Sequence, residues 1–277
     1  MFPETWQLLL AFLAAFIVGV SKTGIAGLGI LVAAIFATLM SARLSSGFVL
    51  PMLIIGDLVA VWYYRGHANW RQATRLFPWT IPGILAGYFA LGRIDDHQAR
   101  VLIGGIIAVL VGWQVLGKLV LAKARKDHAR NSAGVGTSAA PSVPAAGKAA
   151  DPANDVPGEP HLAQVVLLGF AAGFTTLVAN AAGPIMTLYL LAMRMPKLEF
   201  VGTAAVFFCG LNLLKVPFMV SLGSITWGSL AWNCAFLPAV LLGTWLGRAV
   251  LKRLPQAWFE YTALTLSAAA ALRMLLY

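Results

Sequence analysis

The sequence predicts an all-α integral membrane protein of about eight apolar segments arranged as two inverted repeats. Three observations carry that prediction. First, 60% of the residues are hydrophobic and only 11% charged, against about 25% charged in a soluble domain, and mean hydropathy is +0.81. So little polar surface cannot cover a water-soluble globule. Second, the apolar residues come in runs of the length a spanning helix needs, about 20 residues for about 30 Å of hydrocarbon. Third, two stretches on either side of a polar tract carry matching residues in the same order.

The apolar segments run roughly over 5–40, 45–64, 74–93, 98–121, 161–194, 199–222, 228–248 and 256–277. Residues 122–160 interrupt them. KARKDHARN opens this tract, and an Ala/Pro/Gly/Ser-rich stretch without periodicity follows, so it reads as a disordered extramembrane linker. The chain therefore divides into a first repeat, 1–121, a linker, 122–160, and a second repeat, 161–277.

At an offset of 156, Gly27 matches Gly183, and Pro82, Leu85 and Gly87 match Pro238, Leu241 and Gly243. With one residue of slippage, Gly66 and Trp70 match Gly223 and Trp227. Each match alone is weak, because apolar segments coincide by chance. Their shared order supports an internal repeat.

The first segment of each half is too long for one crossing: residues 5–40 as a single helix would reach about 54 Å. Each is also interrupted, by Ser21-Lys22-Thr23-Gly24-Ile25-Ala26-Gly27-Leu28-Gly29 in one half and by Asn180-Ala181-Ala182-Gly183-Pro184 in the other. Gly and Pro break helices, and Ser, Thr and Asn cap new ones. Each is predicted to be a broken hairpin, two short helices that enter and leave on the same side.

Basic residues test this. If every segment crosses once, one face carries Arg65, Arg71, Arg75, Lys118, Lys123, Arg125, Lys126, Arg130 and Lys148. The other carries Arg43, Arg93, Arg100, Arg194, Lys197, Arg248, Lys252 and Arg253. Nine against eight orients nothing. With two hairpins, Arg194, Lys197, Arg248, Lys252 and Arg253 change sides and the split becomes fourteen against three, as the positive-inside rule requires. Three full crossings per half then invert the halves, with the linker cytoplasmic and both termini outside.

The net charge of +10 and the pI near 10.0 sit mostly in these loops, where they act on topology and lipid headgroups. No basic stripe with interleaved aromatics appears, so no nucleic-acid partner is expected. Cys209 and Cys234 lie in apolar segments with no metal spacing. His67, His97, His128 and His161 fall in loops without partners at ligand spacing, so neither metal nor cofactor is expected. Trp6, Trp62, Tyr63, Tyr64, Trp70, Trp79, Trp258 and Tyr277 lie near segment ends and suit an aromatic belt. The N-terminus has no basic stretch before its apolar run, so a cleaved signal peptide is not expected.

SKTGIAGLGIL in the first half, with GFTTLVANAAGPIMTLYLL and FVGTAAVFFCGLNLLKVPF in the second, resembles the sulfite exporter TauE/SafE family. The resemblance covers both halves and excludes the linker. The first half departs from the common Gly-Gly-Gly form, looking like a subgroup with Lys-Thr-Gly-x-x-Gly-x-Gly. The resemblance implies export of sulfite, organosulfonates or related anions from the cell's inner (plasma) membrane, and does not settle which anion.

The residues lead to a compatible place. Irregular backbone at membrane depth is tolerated where it is buried in protein or lines a water-filled cavity. Two breaks at corresponding positions point to a midplane site for a small anion, where helix N-termini aim free N–H groups. Gly24, Gly27, Gly29 and Gly183 would let backbone approach the ligand; alternatively they serve close helix packing. Lys22, between Ser21 and Thr23, supplies a counter-charge, or else snorkels to the interface. Lys215 is either a second site cation or an interface anchor. Asp57 is the acidic residue well inside an apolar run: it carries a coupling proton, or pairs with Lys22 or Lys215. Asn180 caps a half-helix, donates to an oxyanion, or both; Thr175, Thr176, Thr203 and Asn212 are its hydrogen-bonding neighbours.

The favoured function is thus a secondary transporter working by alternating access, whose partners are a small anion and the bilayer. The sequence leaves assembly into a homo-oligomer open. It contains no Walker A sequence. An intramembrane enzyme would want paired acids, or histidine, at membrane depth, and the sequence supplies one deep carboxylate. A non-transporting scaffold would need neither Lys22 nor the repeated breaks.

Overall fold

The computed structural model describes residues 4–25, 27–40, 42–91 and 162–276, with Arg93, Gln98, Val101 and Gly105. The linker, Tyr277 and nearly all of the apolar segment 98–121 lie outside the described residues. Those described form only helices: α1 (Thr5–Thr23), α2 (Gly29–Leu39), α3 (Ala42–Tyr64), α4 (Trp70–Leu91), α5 (Leu162–Ala179), α6 (Ala182–Ala192), α7 (Lys197–Ser221), α8 (Trp227–Arg253) and α9 (Gln256–Leu276). Four stretches, Thr5–Thr23, Leu44–Tyr64, Lys197–Ser221 and Trp227–Arg253, are long and apolar enough to cross a membrane.

Both long segments are interrupted at the Gly- and Asn-containing stretches. The pieces are unequal, however. The 19 residues of α1 span about 28 Å, whereas the 11 residues of α2 span about 16 Å. The second half repeats this with the 18 residues of α5 and the 11 of α6. The interruption comes late because the residues before it are apolar or small over a full crossing length. At the first break Gly27 takes a left-handed φ of 95° and at the second Asn180 takes φ 53°, a region open to Gly and, among side-chain-bearing residues, most readily to Asn.

The most extensive packing pairs α1 with α8 and α4 with α5. Both crossings rest on glycine. A Cβ on Gly19 would lie 2.6 Å from the Thr244 amide nitrogen, and one on Gly243 would lie 3.1 Å from the Gly19 Cα. At the other crossing, a Cβ on Gly83 would lie 2.9 Å from the Phe174 nitrogen, and one on Gly173 would lie 2.9 Å from the Thr80 Cα. In lipid, such close backbone approach supplies the dispersion that replaces hydrophobic drive. Between the two pairs runs the contact of α3 with α7. If the halves correspond helix by helix, α1–α8 is the counterpart of α5–α4, and α3–α7 pairs a helix with its own equivalent.

Two ends of the bundle can be told apart by their contacts. At one, Arg248 lies 4.1 Å from the Tyr63 ring centroid, Asn69 Nδ2 donates to Glu199 Oε1 at 3.0 Å, and Lys197 Nζ donates to the Leu251 carbonyl at 2.9 Å. At the other, Ser224 packs against Gly47 and Asn233 Nδ2 donates to the Phe48 carbonyl at 3.1 Å. There α8 begins on a capping box, with the Ser229 amide donating to Thr226 Oγ1 at 3.1 Å and the Thr226 amide to Ser229 Oγ at 2.9 Å. Trp6, Trp62, Trp70 and Trp258 are exposed, as a lipid-facing belt requires, but Tyr64 is buried and donates to the Thr23 carbonyl at 2.9 Å.

Candidate functional site

The two breaks meet across one cavity of about 110 Å³, a volume on the order of four water molecules. From the first break come Ser21, Lys22, Gly27 and Gly29; from the second, Thr176, Asn180, Ala181 and Gly183. Asp57 on α3, Asn212 on α7, Ser45 and Thr187 add to the polar lining, and Phe36, Phe200 and Phe208 supply apolar walls. Gly29 and Gly183 lie in the first turns of α2 and α6, and no side chain caps either helix start. Those turns carry backbone N–H groups that an anion can accept from.

Three charged side chains sit here. Lys22 Nζ lies 2.8 Å from Asp57 Oδ1, with the lysine side chain 12% exposed and the aspartate fully buried. Asn212 Nδ2 donates to the other carboxylate oxygen at 2.7 Å, so both oxygens of Asp57 are engaged. The ammonium also lies 4.7 Å from the Phe208 ring centroid, close enough for a cation–π contact. Gly56 makes room for the lysine stem: a Cβ there would lie 3.0 Å from Lys22 Cγ.

Lys215 is fully buried. Its ammonium donates to Asn180 Oδ1 and, at 3.3 Å, to Thr176 Oγ1. Both acceptors are neutral, and among the described residues no carboxylate lies within ion-pair distance of it. Asn180 in turn donates from Nδ2 to the Ser46 carbonyl at 3.1 Å, and Ser46 Oγ donates to the Leu177 carbonyl at 3.1 Å. The second break is thereby tied to the start of α3.

Of the residues singled out in the sequence, Ser21, Lys22, Gly27, Gly29, Asp57, Thr176, Asn180, Gly183 and Asn212 line the cavity. Lys215 stands one hydrogen bond behind it, through Asn180. Thr23, Gly24 and Thr175 do not line it. The Thr23 hydroxyl lies 2.7 Å from the Thr244 carbonyl, a Cβ on Gly24 would lie 2.6 Å from the Gly247 oxygen, and Thr175 donates to the Ala171 carbonyl at 2.8 Å. Thr203 accepts from the Asn69 amide at 2.9 Å, at the end marked by Arg248. Asn180 does not cap α6; its side chain bridges Lys215 and Ser46.

Sequence reasoning missed Ser45, Ser46, Thr187 and Phe208. Ser45-Ser46-Gly47 is a polar opening to an apolar run, a signal that marks an element start but not its partner. Phe208 lies in an unbroken apolar stretch and carries no signal.

No curated protein and no solved structure matches the chain. The family model described as Sulfite exporter TauE/SafE matches residues 9–274, and the chain belongs to that family of membrane transporters.

Proposed function

We propose that this chain exports a small anion, sulfite or an organosulfonate, by alternating access at the cavity between two inverted repeats. The observation that carries the reading is the meeting of both breaks around Lys22, with two helix starts that no side chain caps at one small space. Ser21, Lys22 and Asn180 are the groups proposed to touch the anion; Lys215 positions Asn180.

The inverted arrangement has its own support. The end of α3 and the loop after it meet the end of α8 and the start of α7, through Tyr63–Arg248 and Asn69–Glu199. If each segment crossed once, these basic loops would be separated by the bilayer, about 30 Å of hydrocarbon. Their contact favours hairpins made by α1 with α2 and by α5 with α6. The basic end then faces the cytoplasm of the inner membrane, with the linker there and both termini outside. An inside-negative potential favours exit of an anion by about 2.3 kcal/mol per charge per 100 mV.

Counterflow in proteoliposomes tests the function, offering sulfite, methanesulfonate, sulfate and acetate to wild type, Lys22→Ala and the double variant Lys22→Ala/Asp57→Asn, which removes both charges of the pair. Saturable exchange of a sulfur anion by wild type, lost in both variants while they remain folded, is the expected result. Absence of exchange of every anion by wild type refutes it and leaves a non-transporting membrane scaffold as the reading.

A further inference from the structure

Resting on that transport reading, we infer that Asp57 holds the substrate's place on Lys22, and that each anion entering the cavity is accompanied by one proton taken up on the Asp57 carboxylate. The lysine that lines the cavity is already paired, at 2.8 Å, with a carboxylate that lines the same cavity. An incoming oxyanion seeks the same ammonium. Once Lys22 turns to the anion, a fully buried carboxylate is left with the Asn212 amide as its remaining neighbour at hydrogen-bonding distance. An uncompensated buried charge is among the most costly arrangements a protein can hold. Protonation removes it: the carboxylate gains H⁺ from the water on the open side and becomes a neutral carboxylic acid, while the lysine keeps its charge for the anion. Release on the far side reverses both events, and the empty site returns with the Lys22–Asp57 pair closed.

The surroundings leave few other groups for this role. Lys22 comes from α1, and Lys215 and Cys209 from α7; α2 and α5, which also pack on α3, contribute no ionisable side chain. On α8, Arg248 is engaged over Tyr63, toward the end of α3. Asp57 is the carboxylate of the cavity lining. What crosses the membrane is then the anion plus one proton: a monoanion moves without net charge, so its export follows its own gradient and not the potential, and a dianion moves with one negative charge and is driven outward by the potential.

The test is anion binding to the purified full-length protein, followed by calorimetry in buffers of different ionisation enthalpy. Methanesulfonate is the primary probe because its own charge is constant across the working range, with sulfite alongside. Wild type is expected to take up about one proton per methanesulfonate bound, with affinity rising up to tenfold per unit fall in pH. Asp57→Asn is expected to bind without proton uptake and with affinity independent of pH. Binding by wild type without proton uptake overturns the inference and leaves transport standing, since the three donors of Lys22 would then serve Asp57 and the anion together. That measurement needs no variant, so a folding defect in Asp57→Asn does not obscure it. If wild type binds neither probe and exchanges no anion in liposomes, the transport reading falls and this inference with it.

Discussion

Among the described glycines, Gly243 and Gly183 are of two kinds, and one pair of substitutions separates them. Gly243 sits where α8 crosses α1, and a Cβ there would lie 3.0 Å from the Phe16 carbonyl carbon and 3.1 Å from the Gly19 Cα. Backbone cannot give way as a side-chain tip can, so Gly243→Ala should cost about 1–3 kcal/mol of overpacking. Gly183, in the first turn of α6, has nothing within 4 Å of an added Cβ. Gly183→Ala should therefore leave stability unchanged or raise it by about 0.5–1 kcal/mol, the helical preference for Ala over Gly. Its methyl group takes roughly the space of one water, about a quarter of the 110 Å³ cavity. It also screens the α6 amides from an anion, and losing one charge-assisted hydrogen bond of about 1.5–3 kcal/mol weakens binding roughly 10–100-fold. Thermal unfolding of the purified protein, beside methanesulfonate counterflow, reads both effects. Early unfolding of Gly183→Ala with wild-type exchange, or a neutral Gly243→Ala, would refute the division.

Lys22→Ala leaves Asp57 buried without its cation and should destabilise by about 3–5 kcal/mol near neutral pH, whereas adding Asp57→Asn should recover most of that loss in thermal unfolding; additive effects would show that the pair is not coupled. Asn180→Ala and Asn180→Gly lose the same bonds to Lys215 and Ser46, but alanine must also hold φ near 53°, so it should be less stable than glycine by about 1 kcal/mol. In a Cys209→Ala/Cys234→Ala background, single cysteines replacing Gly66 and Lys252 should react from the cytoplasm and one replacing Gly223 from outside; labelling of 66 and 252 from opposite sides would sink the hairpin topology.

The apolar runs and the two interruptions were legible because bilayer thickness and helix-breaking residues act locally. Segment ends among the described residues agreed within about five residues, as at 228–248 against Trp227–Arg253. What faces what was not legible, and the reason is geometric. Successive helical residues point about 100° apart, so Ser21, Lys22 and Thr23 cannot all face one cavity. The cavity receives Ser21 and Lys22, and Thr23 turns to α8. Thr175 and Thr176 split in the same way. In a soluble helix a polar stripe would have announced the inward face. Here lipid and core are both apolar, and periodicity says little. The Lys22–Asp57 pair was one of the alternatives open for Asp57, and Lys215 had its partner in Asn180 rather than in a carboxylate.

Asp57 and Asn212 face each other from α3 and α7, the two helices proposed as equivalents, although at the offset of 156 Asp57 falls on Leu213. No identical pair would work at these two positions. Two aspartates at 2.7 Å would repel or share a proton permanently. Two asparagines would leave Lys22 without a counter-ion. A carboxylate facing an amide lets one half accept what the other donates, and frees the second carboxylate oxygen for Lys22.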